Sequence, residues 1–168
     1  MNNKLIVVFG LPWSGKSTVA RVIHEYYGDK SIVLRTDEIR QELFPISEYT
    51  QEESNIIYAE FYKRAEYFLN VGKIVILDGV FAKQSERDYA QFLVKKVGSF
   101  CSFIQVISDE KYIKKRLIQR KWDVSEADYE VYIKLKAYFE KIVGKCNIID
   151  NSGNMKDLEL SILSILNW

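Results

Sequence analysis

Residues Gly10-Leu11-Pro12-Trp13-Ser14-Gly15-Lys16-Ser17-Thr18 follow the pattern G-x-x-x-x-G-K-[ST], a loop that wraps the phosphates of a nucleotide. The flanking residues constrain the fold as strongly as the loop does. Leu5-Ile6-Val7-Val8-Phe9 is an unbroken apolar run rich in β-branched residues, as in a parallel strand buried on both faces. Beyond the loop, Val19, Val22, Ile23 and Tyr26 recur at helical spacing, and Gly28 is placed to end that helix. Between a strand and a helix the loop has the setting its chemistry needs. Gly10 and Gly15 let the backbone turn and aim N–H groups at phosphate oxygens, and the positive end of the helix points into the same hollow. In that geometry Lys16 bridges the β- and γ-phosphates and Ser17 offers its hydroxyl to Mg²⁺. The sequence predicts a nucleoside triphosphate site.

The rest of the chain alternates strand and helix signals. Ser31 to Leu34 reads as a strand ending at Arg35-Thr36-Asp37, and a short helix from about Glu38 to Leu43 stops before Pro45. Thr50 and Glu53 have capping-box spacing at the head of a helix that Gly72 closes. Lys73 to Asp78 is the third strand signal, followed by a helix near Ser85 to Val97 and a strand from Phe100 to Val106. A helix from about Asp109 to Arg120, a polar break, and a long helix from about Ser125 to Val143 lead to a last strand, Lys145 to Ile149. The turn Asn151-Ser152-Gly153-Asn154 opens a C-terminal helix. This alternation predicts an α/β fold with a parallel sheet covered on both faces, three layers deep. At 168 residues, without repeats or linkers, the expectation is a single domain over 1–168.

Charge narrows the partners. Twenty-four basic and 23 acidic residues leave a net charge of +1, which argues against a large nucleic-acid footprint while allowing a short acceptor strand. Cys101 and Cys146 each open an apolar run and suggest neither a disulfide scaffold nor a zinc site. The N-terminus offers one lysine and a short apolar run, too short for a signal-peptide core, and no stretch approaches membrane-spanning length. A cytoplasmic location is expected.

In a sheet of this kind ligands collect at the carboxyl ends of the strands, which singles out Asp37, Asp78 and Asp150 to Gly153 beside the loop. Asp37 is a candidate general base for a hydroxyl attacking a γ-phosphate, or else a helix cap. Arg40, three residues on, shares its helix face and can hold the acceptor or neutralise charge, or else be solvated. Asp78 has the form of an acid that holds Mg²⁺, but it can also touch the acceptor or replace Asp37 as base. Arg116 and Arg120 are four apart and next to the polar break. They read as charge-stabilising arginines on a lid of about 116–127, or as a solvated basic face shared with Lys111, Lys114, Lys115 and Lys121. His24 has no partner cluster and reads as a surface or packing residue. Tyr58, Phe61, Tyr62, Tyr67 and Phe68 form a helical stripe that serves either the core or an acceptor pocket.

The loop, Asp37-x-x-Arg40, the strand ending in Asp78 and the Arg116/Arg120 pair together resemble P-loop kinases of the polynucleotide-kinase-like and small-molecule kinase group, over nearly the whole chain. The resemblance implies a nucleoside-monophosphate-kinase-like sheet of five parallel strands in the order 2-3-1-4-5, with ATP and Mg²⁺ as cofactors. It implies that Asp37 is the base, Arg40 the acceptor-side arginine, Arg120 the lid arginine and Ile149 to Gly153 the adenine-side turn. Trp13 stands where these relatives frequently carry glycine, adding bulk at the mouth of the site. The expected reaction is transfer of the γ-phosphate of Mg·ATP to a hydroxyl, with residues about 45–72 shaping the acceptor pocket. A small-molecule acceptor fits the charge balance best, and a nucleic-acid 5′-hydroxyl end or a nucleotide switch without acceptor stays open. Oligomeric state and any preference for ATP over GTP are not legible.

Overall fold

The computed structural model of the chain describes residues 3–119 and 129–166. Strand β1, Lys4–Phe9, lies at the centre of a five-stranded sheet, because Leu5 to Phe9 have no side chain that tolerates water and all five are fully buried. Strands β2 (Ser31–Arg35), β3 (Ile74–Gly79), β4 (Phe100–Ile107) and β5 (Asn147–Asp150) complete it. Every pairing is parallel and the order is β2-β3-β1-β4-β5, as the kinase resemblance implied.

The two-residue period of β1 divides the interior. Leu5, Val7 and Phe9 face a core shared with helices α3 (Gln51–Asn70) and α4 (Gln84–Val97), through Phe61, Ala65 and Leu93. Ile6 and Val8 face a second core shared with α1 (Lys16–Tyr27) and α7 (Met155–Leu166), through Val19, Ile23 and Ile162. Helices α2 (Thr36–Leu43), α5 (Glu110–Gln119) and α6 (Tyr129–Tyr138) complete the set among the described residues. No described helix is long and apolar enough to cross a membrane.

Several expected boundaries shift. Helix α2 begins at Thr36, directly on the end of β2, so Asp37 lies inside its first turn rather than at its cap. Strand β5 runs two residues later at its start and one later at its end than the apolar run suggested. Helix α6 stops at Tyr138, short of the expected Val143, because a buried arginine claims the backbone beyond it. Arg87 on α4 is wholly buried and donates to the carbonyls of Phe81, Glu140 (2.9 Å) and Lys141 (3.4 Å). Its guanidinium lies 5.5 Å from the Phe9 ring centre and 5.8 Å from that of Phe139. The Glu140 N–H is also drawn away, to the Ala82 carbonyl (2.9 Å), and the Val143 N–H to Gln84 Oε1 (3.0 Å). Neither bonds back four residues to continue the helix, and residues 139–143 form a strap against α4 without regular secondary structure. Arg120 and the expected lid residues 120–127 lie outside the described residues.

Candidate functional site

The phosphate loop joins β1 to α1 and its backbone departs from ordinary geometry three times. Gly10 and Gly15 have φ of 150° and 97°, and Trp13 takes φ 65° despite its side chain. A Cβ on Gly10 would lie 2.3 Å from the Val106 carbonyl oxygen, and one on Gly15 would lie 1.9 Å from Asn151 Nδ2. Gly10 admits only glycine on steric as well as torsional grounds, and at Gly15 the torsion favours glycine while a Cβ would have to push Asn151 off the Ser14 carbonyl. The Trp13 strain of about 1–3 kcal/mol is held by outside contacts. Arg116 Nη1 donates to the carbonyls of Trp13 (3.0 Å) and Ser14 (3.2 Å) and to Ser108 Oγ, while its Nη2 donates to the Asn151 carbonyl (2.6 Å). Asn151 Nδ2 donates to the Ser14 carbonyl at 2.9 Å. These contacts fix the carbonyls of Trp13 and Ser14, while the Ser14 N–H closes a turn on the Leu11 carbonyl at 3.3 Å. The Ser14 hydroxyl is buried without a hydrogen-bond partner among the described residues.

Arg116 therefore serves in this structure as a clamp on the loop, at the edge of the cavity the loop lines. Asn151, at the end of β5 in the predicted adenine-side turn, is the clamp's second arm. Sequence reasoning singled out both regions but could not assign this role, since it depends on the approach of β4 and β5 to the loop.

Lys16, Asp37 and Asp78 line the hollow and, with Arg35 bonded to Asp78 beside them, form one electrostatic group. Burial pushes the Lys16 ammonium below its ordinary range, and Asp78 and Asp37 partly offset that. Its Nζ donates to the Leu11 carbonyl at 2.9 Å, across the loop. Burial likewise pushes the Asp37 carboxyl above the usual carboxylate range, with Lys16 opposing the shift and Asp78 adding to it. The Asp37 carboxylate accepts no hydrogen bond among the described residues. Asp78, only 4% exposed, accepts from Arg35 Nε at 3.2 Å. The same guanidinium donates through Nη2 to Ser17 Oγ at 2.9 Å and reaches Glu38 at 3.5 Å.

Arg35 is the residue the sequence reading missed. It was visible only as the end of a strand, and its importance comes from register: Arg35 pairs with Asp78 across β2 and β3, two strands from the loop's own β1.

The opposite wall is built from α2, residues 44–50 and α3. Here Arg40 is already engaged, its Nη1 donating to Ser47 Oγ (3.2 Å) and Glu53 Oε2 (3.4 Å) beneath the Tyr49 ring, 4.7 Å away. Thr50 caps α3 by accepting from the Glu53 N–H, as the sequence suggested. The Glu53 carboxylate does not return the bond in capping-box fashion. It accepts from the N–H groups of Glu48 and Tyr49 and from Ser47, which hold its carboxyl below the usual range. Glu53 and Arg40 thus pin the loop 44–50. In the aromatic stripe, Phe61 and Tyr62 are core, Tyr67 is exposed, and Tyr58 lines the hollow while its hydroxyl accepts the Phe81 N–H.

Glu110 joins α5 to α6, accepting from Tyr129 (2.6 Å), Lys136 (3.1 Å) and Lys114 (3.2 Å), partners that lower its carboxyl to about 2. His24 pairs with Ser31 Oγ at 2.8 Å, away from these groups. Burial pushes the Cys101 thiol up to about 12, which makes it inert as a nucleophile.

The phosphate loop and the α2–α3 wall line one cavity of about 1220 Å³. That is somewhat above the range of about 300–1,000 Å³ usual for a small-ligand pocket. Ser17 and Asp78 are oxygen donors of the kind Mg²⁺ takes, and their chemistry fits that ion. No group of three or more His, Cys, Asp or Glu among the described residues is arranged to hold a metal by itself. A divalent ion here would depend on further oxygens from its ligand.

Sheet order, phosphate loop and flanking helices define an α/β fold of the P-loop kinase type. Residues 5–142 match the AAA domain family, and the chain belongs to that family. It is 27% identical to a UPF0200 protein of Aeropyrum pernix, with 94% of this chain and 89% of the relative covered. Among solved structures, the APS kinase CysC of Mycobacterium tuberculosis in complex with AMPPNP and APS superposes with a TM-score of 0.75 at 14% identity, over 99% of each chain. A gluconokinase from Sinorhizobium meliloti 1021 superposes with a TM-score of 0.72 at 19% identity, over 99% of this chain and 92% of its own. These likenesses concern the fold.

Proposed function

We propose that this protein transfers the γ-phosphate of Mg·ATP to the hydroxyl of a small-molecule acceptor. The observation that carries the reading is a single cavity with a phosphate loop on one wall and, facing Lys16, an acidic side chain without a hydrogen-bond partner, Asp37, on the other. The kinase names of the structural neighbours, one of them bound to AMPPNP, support it.

In this reading the loop N–H groups and Lys16 bind the triphosphate and set its terminal phosphate toward Asp37. Ser17 and Asp78 are the residues that would hold Mg²⁺, which when bound supplies neutralisation of phosphate charge. Asp37 orients the acceptor hydroxyl and takes its proton as the oxygen attacks phosphorus, while ADP leaves with the bridging oxygen. Asp37 suits the base better than Asp78 does. Its carboxylate is unengaged and its proton affinity is raised, whereas Asp78 already accepts from Arg35. Arg40, pinned by Glu53 and Tyr49, acts by holding the acceptor wall in shape. Arg120 is proposed to close over the transferring group.

The test is transfer of labelled γ-phosphate from Mg·ATP to pooled hydroxyl acceptors, with Asp37→Asn run alongside. The pools contain sugars, nucleosides, nucleotide sugars, antibiotics and 5′-hydroxyl oligonucleotides. Label is expected in a small-molecule pool and should fall about 10²–10⁴-fold in the variant. Label in the oligonucleotide pool alone would move the acceptor to nucleic acid ends. Slow release to water, equal in both proteins, would remove the kinase reading.

A further inference from the structure

We propose that Arg35 is a resident cation of the phosphate site, holding the two metal-facing oxygens until a nucleotide arrives and then releasing them. The inference rests on the nucleotide-site reading above and goes beyond it. Three contacts carry it: Nε to Asp78 Oδ2 at 3.2 Å, Nη2 to Ser17 Oγ at 2.9 Å, and Nη1 to Glu38 at 3.5 Å. Asp78 and Ser17 belong to different strand–loop units, and the guanidinium fork spans both because Arg35 stands opposite Asp78 in the sheet register.

A guanidinium only donates hydrogen bonds and never loses its charge near neutral pH. It therefore competes with a divalent cation for the same carboxylate and the same hydroxyl lone pair. Without ligand Lys16 and Arg35 already offset the buried carboxylates Asp37 and Asp78, with the half-exposed Glu38 at the edge of the group. Nothing in that balance draws a divalent ion into the site. A triphosphate changes this, adding several negative charges and oxygens arranged to accept a planar fork. Arg35 can then turn from Ser17 and Asp78 to the phosphate, leaving both oxygens open to the metal that accompanies the nucleotide. The site thus excludes bare metal yet retains some grip on nucleotide when metal is scarce.

The experiment measures two affinities in the wild type and in Arg35→Met. One is for Mn²⁺ alone, followed by its electron-spin resonance signal. The other is for AMPPNP in Mg²⁺ and in chelator, followed by calorimetry. The wild type is expected to bind Mn²⁺ only when AMPPNP is present. In Arg35→Met, Mn²⁺ affinity without nucleotide should rise at least tenfold. AMPPNP affinity in chelator should fall at least tenfold, while affinity in Mg²⁺ changes less than threefold. Equal losses in Mg²⁺ and chelator, unchanged values throughout, or tight Mn²⁺ binding by the nucleotide-free wild type would each overturn the proposal. Should Arg35→Met melt below the assay temperature, Arg35→Lys serves, since one ammonium cannot span Ser17 and Asp78 together and metal exclusion should weaken. Failure of the wild type to bind AMPPNP under any condition would sink the nucleotide-site reading itself. Binding with a chelator-to-Mg²⁺ ratio that Arg35→Met leaves unaltered sinks only the role of Arg35.

Discussion

On one wall of the cavity, nine successive residues form the phosphate loop, distant residues hold its backbone in place, and Arg35 and Asp78 add side chains beside Ser17. On the facing wall, the lining comes from α2, residues 44–50 and α3, and side chains such as Arg40, Glu53 and Tyr49 are spent on one another. The first wall combines a backbone whose shape depends on its glycines with a few fixed side chains, Lys16 and Ser17 among them, so little in it can be exchanged. The second is built of side chains, so its selectivity can change residue by residue without disturbing the first. Under the proposed function, this contrast would let the acceptor side vary while the phosphate loop stays fixed.

Substitutions can break or sharpen that contrast. The largest effect is expected from Gly15→Ala, whose methyl would collide with Asn151 and distort the loop; nucleotide binding measured by calorimetry should be lost altogether. Lys16→Ala should keep the fold and reduce turnover about 10²–10³-fold or more, a loss of phosphate charge stabilisation read from single-turnover transfer. Arg116→Met removes donors from the carbonyls of Trp13, Ser14 and Asn151 and should cost roughly 2–3 kcal/mol in denaturant unfolding. It should also weaken nucleotide binding while leaving acceptor KM alone. Glu53→Gln acts on the other wall and should raise acceptor KM severalfold with nucleotide KM unchanged. If it instead weakens nucleotide, the walls are not separable.

The smallest effect concerns stability. Asp37 has a raised carboxyl pKa, so the folded state binds its proton more tightly than the unfolded chain does. Its contribution is favourable below the unfolded value, near 4, and is lost as pH rises through the folded value. Asp37→Asn should therefore melt a few degrees higher than wild type at pH 7, and this advantage should vanish at pH 3. A variant that is both less active and more stable marks a carboxylate kept at a cost for chemistry.

The same contrast governs what could be read without coordinates. The loop was legible because its residues are contiguous and flanked by an apolar run and a helical stripe. The sheet order came through resemblance. Arg35 was not legible, because its partners lie 18 and 43 residues away and meet only through the pairing of β2 with β3. Glu53 had the spacing of a capping box, yet three other donors outcompeted the N–H it was expected to accept. The end of α6 was overestimated because periodicity carries no record of a buried guanidinium on another helix.

That guanidinium has a kinetic consequence. Residues 139–143 are fastened to α4 and the turn before it by Arg87, by the Glu140 N–H to the Ala82 carbonyl (2.9 Å) and by the Val143 N–H to Gln84 (3.0 Å). A strap without secondary structure would ordinarily exchange its amide protons within seconds through local opening. Opening this one gives up the carbonyl partners of a buried guanidinium, so the Glu140 N–H should exchange more slowly than an ordinary exposed loop amide, and a protease should find no early cut there.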